Sequence, residues 1–169
     1  MKFKLVLIGI IIISVFSLKY TGFLVFSRSI EVYFCQVDNC QQEVISELQH
    51  AKYNIYFMTF SFTDDDIGNF LIKKHNQGVD IKGIFEKTQI SKYSEYEKLK
   101  QNNITVILDN NKYYMHHKVF IIDNSTVITG SYNPTRSGNE KNDENLVIIH
   151  DKSIANEYLK EFIRLWKYS

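Results

Sequence analysis

From Ile30 onward, short β-branched and aromatic runs alternate with stretches whose apolar residues recur at helical spacing. Ile30–Phe34 reads as a strand, and Asn39 can cap a helix over Gln41–Ala51 in which Val44, Ile45 and Leu48 share a face. Asn54–Phe62 is a long apolar strand. Thr63-Asp64-Asp65-Asp66 then opens a helix with Ile67, Phe70 and Leu71 on one side, and Gly78 ends it. Val79–Phe85 is the next strand, Ser91–Asn102 a polar helix and Ile104–Leu108 another strand, followed by a turn at Asn110-Asn111. The rhythm then changes to strands separated by turns. Met115–Ile122, Thr126–Thr129 and Asn145–Ile149 are the strands, with turns at Asp123-Asn124 and Ser137–Asn142 between them. A last helix over Ile154–Trp166 carries Phe162, Leu165 and Trp166 as its apolar face. This order predicts one α/β domain over residues 30–169, with a mixed, mostly parallel sheet flanked by helices on both faces and a late antiparallel hairpin. No internal repeat is visible.

The amino terminus follows a different pattern. Met1-Lys2-Phe3-Lys4 precedes an apolar run, Leu5–Leu18, interrupted only by Gly9, Ser14 and Ser17. As a helix this run rises about 21 Å, short of the roughly 30 Å hydrocarbon core, so a basic segment followed by a signal-peptide core is expected over residues 1–27. Cleavage after Ser17 or Ser27 and an uncleaved anchor over residues 5–26 are both open, so the expected location is exported or membrane-anchored.

The length of 169 residues, with 44% hydrophobic side chains, suits a single ordered domain and excludes a disordered or collagen-like chain. A formal charge of +1 removes the simplest argument for nucleic-acid binding, a strongly basic surface. A polyanionic substrate must therefore be held by local positive charge. Cys35 and Cys40 cannot by themselves complete a four-ligand zinc site; in an exported protein they either close a small disulfide loop or remain two thiols.

Candidate chemistry concentrates in Met115–Asn145. Along an extended strand side chains alternate, so His116 and Lys118 share one face and His117 takes the other. An imidazole beside a fixed cation suits a phosphodiester, whose non-bridging oxygens need positive charge while the imidazole attacks phosphorus or protonates a bridging oxygen. Ser131 and Asn133 can add neutral phosphate donors, and Glu144 can accept the other imidazole N–H. Asp123 is expected to orient neighbours or stabilise a turn. Asp64-Asp65-Asp66 is the one candidate metal cluster and reads more simply as a helix cap. His50, His75 and His150 are expected to face solvent.

Together His116, Lys118, Asp123, Gly130, Ser131 and Asn133 match the pattern H-x-K-x4-D-x6-G-S-x-N, and the chain resembles the phospholipase D superfamily. Val32-Tyr33-Phe34, the Met58–Phe62 strand before an acidic helix start, and Gly78–Lys82 are similar to its short single-motif branch. That branch contains secreted bacterial nucleases and mitochondrial cardiolipin hydrolases, and Tyr114–Lys118 is especially similar to the latter. The zinc-binding insertion of animal members has no counterpart in the two cysteines present.

The resemblance implies a phospholipase D-like fold and a metal-independent phosphodiesterase without cofactor. One histidine attacks phosphorus to form a phosphohistidine, and a second protonates the leaving oxygen. With one H-x-K motif and no repeat, it further implies a homodimer whose shared site takes His116 and Lys118 from both chains. Either nucleic acid or phospholipid fits as substrate. A catalytically silent binding protein on the same fold is the remote alternative.

Overall fold

The computed structural model describes residues 30–169. Seven strands form one sheet: β1 (Ile30–Phe34), β2 (Asn54–Thr59), β3 (Asp80–Phe85), β4 (Thr105–Leu108), β5 (Lys118–Ile122), β6 (Thr126–Gly130) and β7 (Asn145–His150). The six helices are α1 (Cys35–Asp38), α2 (Cys40–His50), α3 (Asp65–Asn76), α4 (Glu95–Gln101), α5 (Arg136–Glu140) and α6 (Lys152–Tyr168). Strand order is β1-β7-β6-β5-β2-β3-β4.

The mixed sheet flanked by helices matches the expectation, but its balance does not. Only β2–β3 and β3–β4 pair in parallel; β1–β7, β7–β6, β6–β5 and β5–β2 are antiparallel. The reason is topological. Parallel neighbours need a crossover, and only α3 and α4 supply one between adjacent strands, whereas β5 and β6 are joined by a tight turn at Asp123-Asn124 with both residues at positive φ. The segment read as a turn at Ser137–Asn142 contains the short helix α5, whose N-cap Thr135 accepts from Gly138 N.

The sheet separates two apolar layers. On one face Val44, Leu48, Phe57, Ile67, Leu71, Phe85, Leu99 and Phe120 pack among α2, α3 and α4. On the other, Met58, Ile84, Val119, Ile121 and Val127 meet Ala155, Phe162 and Leu165 of α6. Adjacent residues of β5 thus enter opposite layers, which requires the period of two seen in its sequence. The parity of the whole segment follows, with Lys118 in step with Phe120 and His117 in step with Val119.

Cys35 and Cys40 are joined as a disulfide and buried at the start of α1 and α2. Asp64 caps α3 by accepting from Ile67 N at 3.0 Å, and it also accepts from Gln41 Nε2 and Asn139 Nδ2. Asp65 turns outward to Lys98 at 2.8 Å, so the acidic run diverges.

The exported or membrane-anchored location expected from the amino terminus is corrected: among the described residues no helix is long and apolar enough to cross a membrane. The segment behind that expectation, residues 1–27, lies outside the described residues.

Candidate active site

The carboxyl ends of the parallel strands β2 and β3 meet the amino end of β5 at one edge of the sheet. Thr59 is the register partner of Lys118, and the β5–β6 pairing sets the end of β6 beside the start of β5. In open α/β sheets this edge is where ligands bind, because the chain leaves the ladder there and frees side chains.

The strand expected over Met115–Ile122 begins only at Lys118. Upstream, the backbone is held by other means: Met115 N donates to Glu86 Oε2 at 2.7 Å, and His117 O accepts from Phe60 N at 2.8 Å. The alternation nonetheless persists. His116 and Lys118 come together, with Lys118 Nζ 3.0 Å from His116 Nδ1 and 3.2 Å from Nε2. His117 points to the opposite layer, its Nε2 3.4 Å from Glu161 Oε1 on α6.

The His116 ring is exposed and rests on Phe60, ring centres 4.3 Å apart, and Lys118 Nζ lies 4.9 Å from the Phe60 centroid. Desolvation against this wall, then the positive charge of Lys118, pushes the imidazole pKa below its ordinary value, while Glu86 opposes the shift. His116 is therefore neutral over a wider pH range than an unperturbed imidazole. Lys118 is shifted down by burial, and the nearby charge of Glu144 offsets part of that shift.

The remaining predicted residues divide. Ser131 and Asn133 follow β6 at the same edge. Ser131 Oγ accepts from Asn145 N at 3.0 Å, so its hydroxyl ties the loop to β7. Asn133 Oδ1 is buried and has no hydrogen-bond partner among the described residues. A buried amide oxygen without a donor is costly to the fold. Gly130 has φ +143, and a Cβ there would lie 2.3 Å from Asn145 O, which is the physical reason the motif needs glycine.

Glu144 does not meet His116 in this chain; its Oε1 accepts from Asn142 Nδ2 at 3.1 Å. Asp123 is not at the site. It lies past the far end of β5, roughly 17 Å from Lys118 at about 3.3 Å per strand residue. There its carboxylate accepts from Lys52 N, Tyr53 N and Asn54 N at 2.8, 2.8 and 3.0 Å. Two of the histidines expected to face solvent are half-buried: His75 Nδ1 is buried without a partner among the described residues, and His150, 33% exposed at its side chain, has Nδ1 3.1 Å from Thr126 Oγ1.

Two site residues escaped sequence reasoning. Phe60 gives the wall under His116. Glu86, fully buried at the end of β3, accepts from Thr88 N and Met115 N and so fixes the approach to His116. Burial, the largest single influence, would raise its pKa, but the two backbone donors together with the Thr88 side chain and the charge of Lys87 outweigh it and lower it. The available signal was a carboxylate directly following the apolar run Ile84-Phe85, at the carboxyl end of a parallel strand.

An exposed imidazole beside an ammonium, at the edge of a mixed sheet, is an arrangement chemically suited to a phosphodiester. The family model "Cardiolipin synthase, PLD-like domain" matches residues 44–166, and the chain belongs to the phospholipase D superfamily. It is 31% identical over 136 residues to a phospholipase D of Rickettsia typhi, covering 80% of this chain and 67% of that protein. A mitochondrial cardiolipin hydrolase of Chlamydomonas reinhardtii is 33% identical over 120 residues, 70% of this chain and 54% of the relative. The crystal structure of the phospholipase D family member Nuc from Salmonella typhimurium superposes with a TM-score of 0.78 at 30% identity, covering 83% of this chain and 95% of Nuc. The protein is a phosphodiesterase of this superfamily.

Proposed function

We propose that His116 attacks the phosphorus of a phosphodiester, breaking one P–O ester bond and forming a phosphohistidine, in a site completed by a second copy of the chain. The second copy's His116, protonated at the start, gives its proton to the leaving oxygen. It then takes a proton from water, whose oxygen displaces the phosphoryl group from the first imidazole and restores both histidines. Lys118 from each chain neutralises the non-bridging oxygens and the Asn133 NH2 donates to them, so no metal is required for charge balance. Two identical imidazoles close together support the division of labour, because protonating one disfavours protonating the other.

The observation that carries this reading is the pairing of His116 with Lys118 at 3.0 Å on an exposed edge, with the imidazole held toward its neutral form. Each chain offers one such pair, and in-line displacement needs an acid opposite the nucleophile. The test is hydrolysis of bis(p-nitrophenyl) phosphate in chelator, with His116→Ala as control and with dilution. Activity is expected to survive chelator, to fall at least about 10⁴-fold in His116→Ala, and to decline on dilution as copies separate. Chelator-sensitive activity, an active His116→Ala protein, or full activity of a monomer rejects it.

A further inference from the structure

The loop that carries Ser131 and Asn133, residues 131–144, is long for a connection between two antiparallel neighbours, and the sheet fixes only its ends. Ser131 N and Tyr132 N donate to Asn145 O at 3.1 and 3.2 Å, and Ser131 Oγ accepts from Asn145 N. Its one regular element, α5, has five residues, too few to hold itself as a helix. The shape of the loop must therefore come from its neighbours.

These act from two sides. From the end of β2, Thr63 N donates to Pro134 O at 2.9 Å, and Asp64 accepts from Asn139 Nδ2 at 2.6 Å. From the chain that follows β1, Cys35 N donates to Glu144 O and Gln36 Nε2 to Asn142 O, both at 3.0 Å. Gln41, directly after Cys40, donates to both oxygens of Asp64 at 2.9 Å and so joins the two sides. The loop in turn bears on Asn133: Thr135 N donates to Asn133 O at 2.7 Å, and a Cβ at Gly138 would lie 2.4 Å from that oxygen. Displacing α5 displaces Asn133.

The weakest member of this frame is α1. It has four residues, its N-cap Phe34 makes no side-chain capping bond, and Asn39 after it is at φ +50. One uncapped turn does not persist by itself. The Cys35–Cys40 bond closes the chain around that turn, and fully buried Cys40 packs in one apolar cluster with Val44 and Leu48 of α2. The entropy that a disulfide removes from the unfolded chain grows with the logarithm of loop length, and a sequence separation of 5 is near the small end. Such a bond is poorly placed to stabilise the whole domain and well placed to fix where Cys35 N and Gln36 point.

We propose that the Cys35–Cys40 disulfide is a positioning device for the active site: it holds α1 against the 131–144 loop, through Cys35 N and Gln36, and so sets the Asn133 amide where the phosphoryl group is bound. The inference rests on the phosphodiesterase reading above and adds to it a bond that acts on substrate only through another group.

The test is a double-mutant cycle in the full chain, with Cys35→Ala and Cys40→Ala as one change and Asn133→Ala as the other, assayed on bis(p-nitrophenyl) phosphate at measured folded fraction. Removing the two cysteines is expected to lower kcat/KM about 30-fold per folded molecule, and Asn133→Ala about 10²-fold. Combined, the loss is expected to stay near that of Asn133→Ala alone, because both changes remove the same positioned amide. Hydrogen exchange is expected to quicken at residues 135–142 and to stay unchanged in β2 and β3. Gln36→Ala, which leaves the disulfide intact, is expected to lower kcat/KM about threefold, and it decides the matter if the protein without cysteines does not fold. Full activity without the cysteines, losses that multiply in the combined variant, or, where that protein does not fold, full activity of Gln36→Ala overturns the proposal. Full activity of Asn133→Ala alone is a different failure, that of the underlying phosphate-binding reading, and takes the proposal with it.

Discussion

The two ends of β5 carry two parts of one motif and could hardly differ more. At the Lys118 end, polar groups are exposed or unpaired: His116 bonds only to Lys118 on its own face, and Asn133 Oδ1 has no partner among the described residues. At the Asp123 end both carboxylate oxygens are used, with three backbone N–H groups from the α2–β2 connection converging on them, and Asp123 N in turn donates to Asn54 O. One end leaves hydrogen-bonding capacity for a substrate; the other consumes it to hold the fold. Membership of a motif therefore does not imply a shared role. A motif records what must be present, and the strand between its members, about 3.3 Å per residue, separates reaction from scaffold.

The comparison can be broken most directly at Lys118. Lys118→Met keeps the aliphatic stem against Phe60 and removes the charge, and it is expected to lower kcat/KM by about 10²–10³-fold without loss of thermal stability. A comparable drop in stability would place Lys118 with the scaffold. Asp123→Ala should do the reverse. Three N–H donors lose a charged acceptor, so denaturant unfolding is expected to show a loss of about 2 kcal/mol while activity per folded molecule stays close to that of the parent. A hundredfold loss of turnover at equal folded fraction would return Asp123 to the site.

Glu86 tests whether the open end is itself held in place. In Glu86→Gln an NH2 group must face one of two backbone N–H groups, loosening Met115 and with it His116. A loss of about tenfold in kcat with little change in KM is expected, measured on a small diester. The smallest effect concerns pH. In the proposed mechanism the attacking group is the neutral imidazole, and burial with Lys118 holds its pKa below the ordinary 6.5, so activity is expected to appear as pH rises through that lowered value. The acid limb of kcat/KM should lie below that of a free imidazole. Lys118→Met should move it upward but not fully back, because desolvation is the larger cause. A limb unmoved by Lys118→Met would show that the charge does not act on His116.

Much of the element order was legible because each strand carries a period of two or a continuous apolar run, and α2, α3 and α6 keep a helical stripe. The same alternation correctly separated His116 from His117, although the ladder stops at Lys118. Where reading failed, the information was non-local. The antiparallel majority depends on which strands become neighbours, not on any one segment. Glu144 was expected to orient the imidazole because it is acidic and follows the motif, but its direction is set by the loop tied through Asn142 and by Cys35 N, which donates to Glu144 O. Glu86 and Phe60 sit 30 and 56 residues before His116 and become its neighbours only when β2, β3 and β5 are side by side.

By itself the sequence determined the chemistry that is present: an imidazole and an ammonium two residues apart, a glycine where no Cβ fits, and the alternation that puts the reactive pair on one side. These are properties of covalent spacing and backbone stereochemistry, which act over a few residues. Only the tertiary structure decided which of those groups are left unsatisfied. That depends on which backbone donors and acceptors arrive from distant strands, and they arrive in full at Asp123 and in part at His116, Lys118 and Asn133.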